Sequence, residues 1–460
     1  MKQPQWDSPA GASFTDFDRD GNVDLWVAQY ADANGALQDH LYRNDGTGVY
    51  TDVTKAQGLE TGMWMLIGFL NQAKGHSLAW GSTACDLNGD GNPELLAASY
   101  GRAPNHLWQN GGPAAGFVYS NRSVASGYAF DDRKDWSDNE SARCWCKLHP
   151  TDTGCEGVPA PTGIVCTKDS DAFRWDHAND REPWRLGGNS ATTVCGDVNN
   201  DGHMDLLTGE IVHWDVGSSS DPAELMVNTG EPDVRFSRPG NDVTGLARTH
   251  TRPDWNEGIM TGALLDFDND GRLDVYWGDS DYPGSFGLLY HQDAPGHFVP
   301  VPKDVGIDHH RSHGVTVADF DRDGDLDVVV GHSFARCSGD TSADSKCYET
   351  QRVRLFENVI GSDGNFVELT LEGGAGTNRA AIGARVSLVA DGLTQTREID
   401  GGHGHYGTQD DLTVHFGLGA SCAANATIRW PDAALTTQTF QVLAGYRYKV
   451  VQGQAPVVIE

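Results

Sequence analysis

Little in this chain suits a membrane, a nucleic acid or a familiar hydrolase. No apolar run approaches the roughly 18 residues that a helix needs to cross a bilayer; the stretch from Met63 to Leu70 is far shorter. Basic residues are scarce, with 33 Lys and Arg against 65 Asp and Glu and a formal net charge of −32. Such a surface repels phosphate backbones and anionic lipid, so no nucleic-acid partner and no membrane insertion are expected. Met1, Lys2, Gln3 and Pro4 open the chain without an apolar leader segment. There is no G-x-S-x-G, no phosphate-cradling glycine loop and no H-E-x-x-H, so no catalytic residue is assigned. Close-set carboxylates abound, but they belong to the repeats described below and give no support to glycoside hydrolysis.

Glycine, by contrast, is abundant: 56 of 460 residues. Together with a charged fraction of 21%, this composition suits a turn-rich all-β protein, long enough for one large repeat domain and a small second one. Nine cysteines are present; Cys144, Cys146, Cys155 and Cys166 crowd one polar stretch, and Cys337 and Cys347 flank another. Loop cysteines grouped this way read as disulfides of an oxidising compartment, so a secreted or periplasmic protein is expected. For the first four a zinc site is the alternative, against which their uneven spacing counts. Cys85 and Cys195 each precede a repeat loop and are expected to be buried, which leaves Cys422 as the odd thiol.

One nine-residue pattern, D-Φ-[DN]-x-D-G-x-x-[DE] with Φ apolar, occurs five times. Its ligand-type residues are Asp16, Asp18, Asp20 and Asp24; Asp86, Asn88, Asp90 and Glu94; Asp197, Asn199, Asp201 and Asp205; Asp266, Asp268, Asp270 and Asp274; and Asp319, Asp321, Asp323 and Asp327. Each loop runs into a short apolar, partly β-branched segment such as Leu25 to Ala28 or Val328 to Val330, which reads as a buried strand. A second element follows downstream, as in Leu41-Tyr42-Arg43-Asn44 and Leu225-Met226-Val227-Asn228. Three or four short strands per unit is the make-up of a propeller blade. Successive first aspartates, at 16, 86, 197, 266 and 319, lie 70, 111, 69 and 53 residues apart. The long gap holds a cysteine-containing insertion at about 131–185. Five blades are visible and five to seven can be accommodated.

Carboxylates at positions 1, 3, 5 and 9 around a glycine at position 6 suit a hard cation that takes six to eight oxygens. Grouped anions repel unless a cation lies between them, so structural calcium is expected in most of the loops; metal-free Asx turns are the alternative. An EF-hand is excluded, because position 12 holds Val27, Ala97, Thr208, Trp277 and Val330 in place of Glu.

These loops resemble FG-GAP/VCBS repeats. The tail sharpens the likeness: Asn378 to Val386, Tyr406-Gly407-Thr408-Gln409, Val414 to Gly419 and Ile428-Arg429-Trp430-Pro431-Asp432 resemble an ASPIC/UnbV domain. Repeats followed by that domain are similar to the bacterial cartilage acidic protein-like family. The resemblance implies an extracellular calcium-binding β-propeller over 1–362, and an ASPIC/UnbV-like β domain, a small sandwich or barrel, over 363–460. Propellers of the family are usually seven-bladed, more than is visible here.

A loop that closes a hairpin puts the far ends of its two strands at the other end of the unit. Counting five residues past position 9 gives Gln29, Ser99, Glu210, Asp279 and His332; strand starts add His76, Asn189, Glu257, His310 and His313, and His213 lies just past Glu210. A polar ring of this kind around an axis is a natural ligand site. The first reading is a secreted propeller that binds a protein or glycan, with calcium structural and no catalysis. The alternative is a metal-dependent enzyme with one copper, zinc or iron ion held by residues among His76, Glu210, His213, Asp279, His313 and His332. From the second domain, His403 and His405 are placed to face the same site.

Overall fold

The computed structural model describes residues 8–32, 35–62, 78–182, 188–250, 253–282, 284–334, 336–337, 347–348, 352–360 and 364–459. His76 lies outside the described residues. The chain is all-β: each repeat is an antiparallel meander that opens with the hairpin closed by the acidic loop. Unit 1 comprises Pro9–Thr15, Asp24–Gln29, His40–Asn44 and Tyr50–Asp52, and unit 2 comprises Leu78–Cys85, Glu94–Tyr100, His106–Asn110 and Tyr119–Asn121. Unit 3 is Ser190–Gly196, Asp205–His213, Leu225–Asn228 and Phe236–Ser237; unit 4 is Asn256–Leu265, Asp274–Asp279, Leu288–Ala294 and His297–Pro300; unit 5 is Ser312–Ala318, Asp327–His332 and Val353–Phe356.

Apolar cores form between neighbouring units. Phe17, Trp26 and Leu41 of unit 1 pack with Leu95 and Trp108 of unit 2, and Leu87 and Leu107 of unit 2 pack with Leu206 and Met226 of unit 3. Val275 and Trp277 join units 3 and 4, and Val328 and Val330 join units 4 and 5. A side-chain amide reinforces each junction. A residue at or near the end of the third strand donates across to the backbone carbonyl at position 2 of the preceding loop: Asn110 to Phe17 O at 3.1 Å, Asn228 to Leu87 O at 2.8 Å, Gln292 to Val198 O at 3.1 Å and Asn358 to Phe267 O at 2.6 Å. A buried carbonyl without a donor would cost about 1–3 kcal/mol, so these amides fix the spacing of the units as well as their order.

The first strand of every unit carries a β-bulge at the same place. Register shifts fall between Pro9 and Gly11, Ala79 and Gly81, Ser190 and Thr192, Ile259 and Thr261, and Ser312 and Gly314. The extra residues are Ala10, Trp80, Ala191, Met260 and His313. A bulge re-aims the side chain it adds.

The C-terminal part is a sandwich of two four-stranded sheets, one ordered Val414–Gly419, Asn365–Glu372, Tyr446–Val451, Val457–Val458 and the other Leu393–Glu398, Arg385–Ala390, Ala423–Arg429, Thr437–Leu443. One continuous core fills it, with Phe416, Trp430, Val386 and Leu388 fully or almost fully buried. Between the sheets, segment 400–411 leaves the sandwich and enters the axis of the repeats. Gly404–His405 pairs with Gly81 and Ser82 of unit 2, Phe14 N donates to Gly401 O at 2.8 Å, Tyr406 N to Ala10 O at 2.8 Å, and Val317 N to Asp410 Oδ1 at 2.9 Å. Units 1, 2 and 5 are therefore bridged through the C-terminal domain.

Four disulfides are present: Cys85–Cys195, Cys144–Cys166, Cys146–Cys155 and Cys337–Cys347. The zinc alternative for the first cluster is overturned, since those thiols are bonded in pairs around the helix Glu140–Leu148. Cys85 and Cys195 are bonded to each other and tie the first strands of units 2 and 3. Cys422 is free and exposed. Among the described residues no helix is long and apolar enough to cross a membrane.

Candidate functional site: carboxylate loops and an axial cavity

The repeat loops close by a shared scheme. The position-1 carboxylate accepts backbone N–H groups from positions 5 and 6: Asp16 takes Asp20 N and Gly21 N, both at 3.1 Å, and Asp266 takes Asp270 N at 3.0 Å and Gly271 N at 2.8 Å. Glycine is required at position 6, where φ is +86° at Gly21, +89° at Gly271 and +96° at Gly324, a region L side chains avoid. The position-9 carboxylate acts as a clamp. Its two oxygens take the N–H of position 2 and the N–H that ends the third strand: Phe17 and Asn44 for Asp24 at 3.2 and 2.8 Å, Val198 and Asn228 for Asp205 at 3.1 and 2.8 Å, Phe320 and Asn358 for Asp327 at 3.1 and 2.7 Å. Loop and third strand are thereby locked together in one unit.

The remaining lone pairs converge. Oxygens of Asp16, Asp18 and Asp24 lie within 4.8 Å of one another, as do those of Asp266, Asp268 and Asp274. Asp18 Oδ1 and Asp268 Oδ1 are buried without a hydrogen-bond partner. Burial, reinforced by the neighbouring carboxylates, pushes Asp16 up to about 7 and Asp24 up to about 8, the mark of anions that want a counter-charge. The residues fit a hard, oxygen-seeking cation such as calcium.

The loops are not equivalent. In unit 1, Arg43 Nε lies 2.7 Å from Asp18 Oδ2 and Nη2 lies 3.0 Å from Asp20 Oδ2. In unit 2, Arg429 and Arg385 of the sandwich both reach Asp86. Arg447 stands 3.6 Å from Asp319, and Gly417 N donates to Asp266 Oδ2 at 3.1 Å. The sandwich thus lies against the loop end of the units and faces their carboxylates with guanidinium groups.

A cavity of about 380 Å³ opens at the opposite end. The bulge residues Ala10, Trp80, Met260 and His313 form part of its wall, and Tyr30, Tyr100, Ile211 and Ser280 form another part. These last four stand six residues past position 9, one beyond the expected ring. Gln29, Ser99, Glu210, Asp279 and His332 are buried behind the wall and do not line it. Strand side chains alternate with a period of two, so a count one residue short selects the other face.

Aromatic rings dominate this wall. Trp80 stacks on Tyr100 with ring centroids 4.1 Å apart and on His405 at 4.8 Å, and Tyr30 lies 5.6 Å from Trp80. The Arg336 guanidinium sits 4.2 Å over the Tyr282 ring, with Nε 3.4 Å from Asp281 Oδ2. Burial lowers His405 to about 4 and lowers His313 as well, so both imidazoles are neutral at physiological pH. His405, carried in from the second domain, does face the site. His403 lies deeper, fully buried, with Nδ1 2.8 Å from Asp400 Oδ2.

The other proposed metal ligands take separate partners. Glu210 accepts from Ser190, His213 Nδ1 meets Asn256 Oδ1 at 2.6 Å, Asp279 takes Arg248 at 2.7 Å, and His332 Nδ1 meets His310 O at 2.7 Å. Of that set His313 alone lines the cavity among the described residues. Trp80, Tyr30 and Tyr100 were missed; for the two tyrosines the signal was an aromatic recurring at one register position in units 1 and 2.

Comparison with known proteins agrees with this layout. The FG-GAP-like repeat model matches residues 266–330, the span of the fourth and fifth loops, and the ASPIC and UnbV model matches residues 374–457. Cartilage acidic protein 1 of Mus musculus is 23% identical over 504 aligned residues, covering 93% of this chain and 71% of that protein. The Xenopus tropicalis protein of the same name is 28% identical over 253 residues, covering 54% of this chain and 34% of its own length. Among solved structures, the V. cholerae biofilm matrix protein Bap1 aligns over 95% of this chain and 62% of its own at 10% identity and a TM-score of 0.34, too low to carry a fold argument. The chain joins FG-GAP-like repeats to a C-terminal ASPIC and UnbV domain and is similar over most of its length to cartilage acidic protein 1.

Proposed function

We propose that the protein is an extracellular binding protein: a calcium-stabilised propeller of five FG-GAP-type blades that holds a glycan in its axial cavity and carries out no catalysis. The stacked wall of Trp80, Tyr100 and His405 carries this reading. A sugar ring offers a flat face of C–H groups to an aromatic ring and hydroxyls around its edge. The cavity offers both partners, aromatic rings beside the polar groups of Arg336, Asp281 and Ser280, which can orient a ligand. FG-GAP-like repeats and an ASPIC and UnbV domain support an adhesion or binding role, the disulfides support an oxidising compartment, and the converging loop carboxylates, with Asp18 Oδ1 and Asp268 Oδ1 lacking a hydrogen-bond partner, support calcium.

The test is a glycan panel applied to the intact protein in calcium, read by tryptophan fluorescence, with Trp80→Ala as the control. We expect a subset of glycans to quench fluorescence and Trp80→Ala to bind them at least tenfold more weakly. No binder in the panel, or unchanged affinity in the variant, overturns the reading.

A further inference from the structure

We infer that Glu210, Asp221, Glu224 and Asp131 form a further buried site for a divalent, oxygen-seeking cation, distinct from the five loops, which fastens the inserted segment to unit 3. All four carboxylates belong to residues no more than 7% exposed. Glu210 and Glu224 belong to unit 3 and its connection, while Asp131 opens the insertion and donates its backbone N–H to both Asp221 oxygens at 3.4 Å. Glu210 Oε1 accepts from Ser190, whereas Glu210 Oε2 is buried with no hydrogen-bond partner. That oxygen lies beside Asp221 in space left open by Gly188, where a Cβ would collide with Glu210 Oε2 and crowd the Asp221 side chain.

Unit 4 shows a version in which each carboxylate has a basic partner. Asp279 occupies the same register position as Glu210, each opposite the residue that precedes the bulge in its own first strand. Around Asp279 there are two carboxylates, one guanidinium and one imidazole. Arg248 Nη2 lies 2.7 Å from Asp279 and its Nε 3.7 Å from Glu257, and His250 Nε2 lies 2.6 Å from Glu257. Around Glu210 there are four carboxylates and two cations. Arg238 pairs with Glu224 at 2.5 Å and half-exposed Arg133 pairs with Asp131 at 3.1 Å. Two negative charges are left over in a buried pocket, which is costly without compensation. A divalent ion cancels both, and the all-carboxylate donor set selects a hard one. Burial and the adjacent carboxylates hold Glu210 well above the ordinary range and push Asp221 up to about 7, so protonation is the rival means of compensation.

The full chain, stripped with chelator and reloaded with calcium, is counted by atomic emission as wild type and as Glu210→Gln. The variant is expected to bind one equivalent fewer; an equal count, or a variant more stable than wild type in calcium, overturns the proposal in favour of protonated carboxylates. Should Glu210→Gln fail to fold, crystals of the wild-type protein grown with manganese decide. An anomalous peak between Glu210 and Asp221 supports the site, and its absence there overturns it.

Discussion

The repeat region and the C-terminal sandwich are both all-β, yet they are held together differently. The sandwich rests on one continuous apolar core, has no disulfide, and carries only the exposed thiol of Cys422. The repeat region has several smaller cores, each shared by two neighbours. It adds four disulfides, an amide bridge at each junction, and the carboxylate loops. A repeat unit cannot bury its own faces, so polar and ionic cross-links carry stability that a single core supplies elsewhere.

Chelation should bring out this contrast most strongly. A cation at one hundred times its Kd adds about 2.7 kcal/mol per site, and several sites act together. Hydrogen exchange followed by mass spectrometry should show the repeats losing protection on calcium removal while 365–451 keeps it. Equal loss in both regions would refute the contrast. Next in size is Cys85→Ser combined with Cys195→Ser. The bond spans a sequence separation of 110, and its loss should cost about 4–5 kcal/mol on a chain-entropy estimate, read as a lower denaturation midpoint of the repeats. Phe416→Ala probes the other region. Emptying that core position should cost about 3–5 kcal/mol in the exchange protection of the sandwich, with bound calcium unchanged. Asn228→Ala should be milder, about 1–3 kcal/mol, localised to the junction of units 2 and 3 where Leu87 O and Met204 O lose their donor.

The most local effect concerns the plug that joins the two regions. Hydrogen bonding to Asp400, working against burial, raises His403 to about 9. A histidine raised above its unfolded value of about 6.5 contributes stability that is complete below that pH. The contribution is lost as pH climbs through about 9. Denaturation midpoints of the wild type should therefore fall between pH 6.5 and 9.5, and His403→Gln should flatten that part of the profile.

The acidic loops were legible in the sequence because their chemistry is local: nine consecutive residues supply the carboxylates, the glycine and the strand that follows. The disulfide-rich insertion was legible for a similar reason, through cysteines close together in the chain. The axial wall was not. Its lining depends on a bulge in each first strand, and one inserted residue reverses which side chains face the axis. On the second strands, counting five residues past position 9 selected Glu210 and Asp279, which are buried, whereas the sixth position, Ile211 and Ser280, lines the cavity.

The sequence by itself determined the repeating carboxylate turns, the all-β class and the character of the tail, since each follows from neighbours within about ten positions. Only the tertiary structure decided that the tail threads the axis, that arginines of the sandwich meet the loop aspartates, and that Cys85 finds Cys195. These contacts join residues one hundred to more than three hundred positions apart, and no local propensity encodes which distant partner a surface will meet once the units have packed.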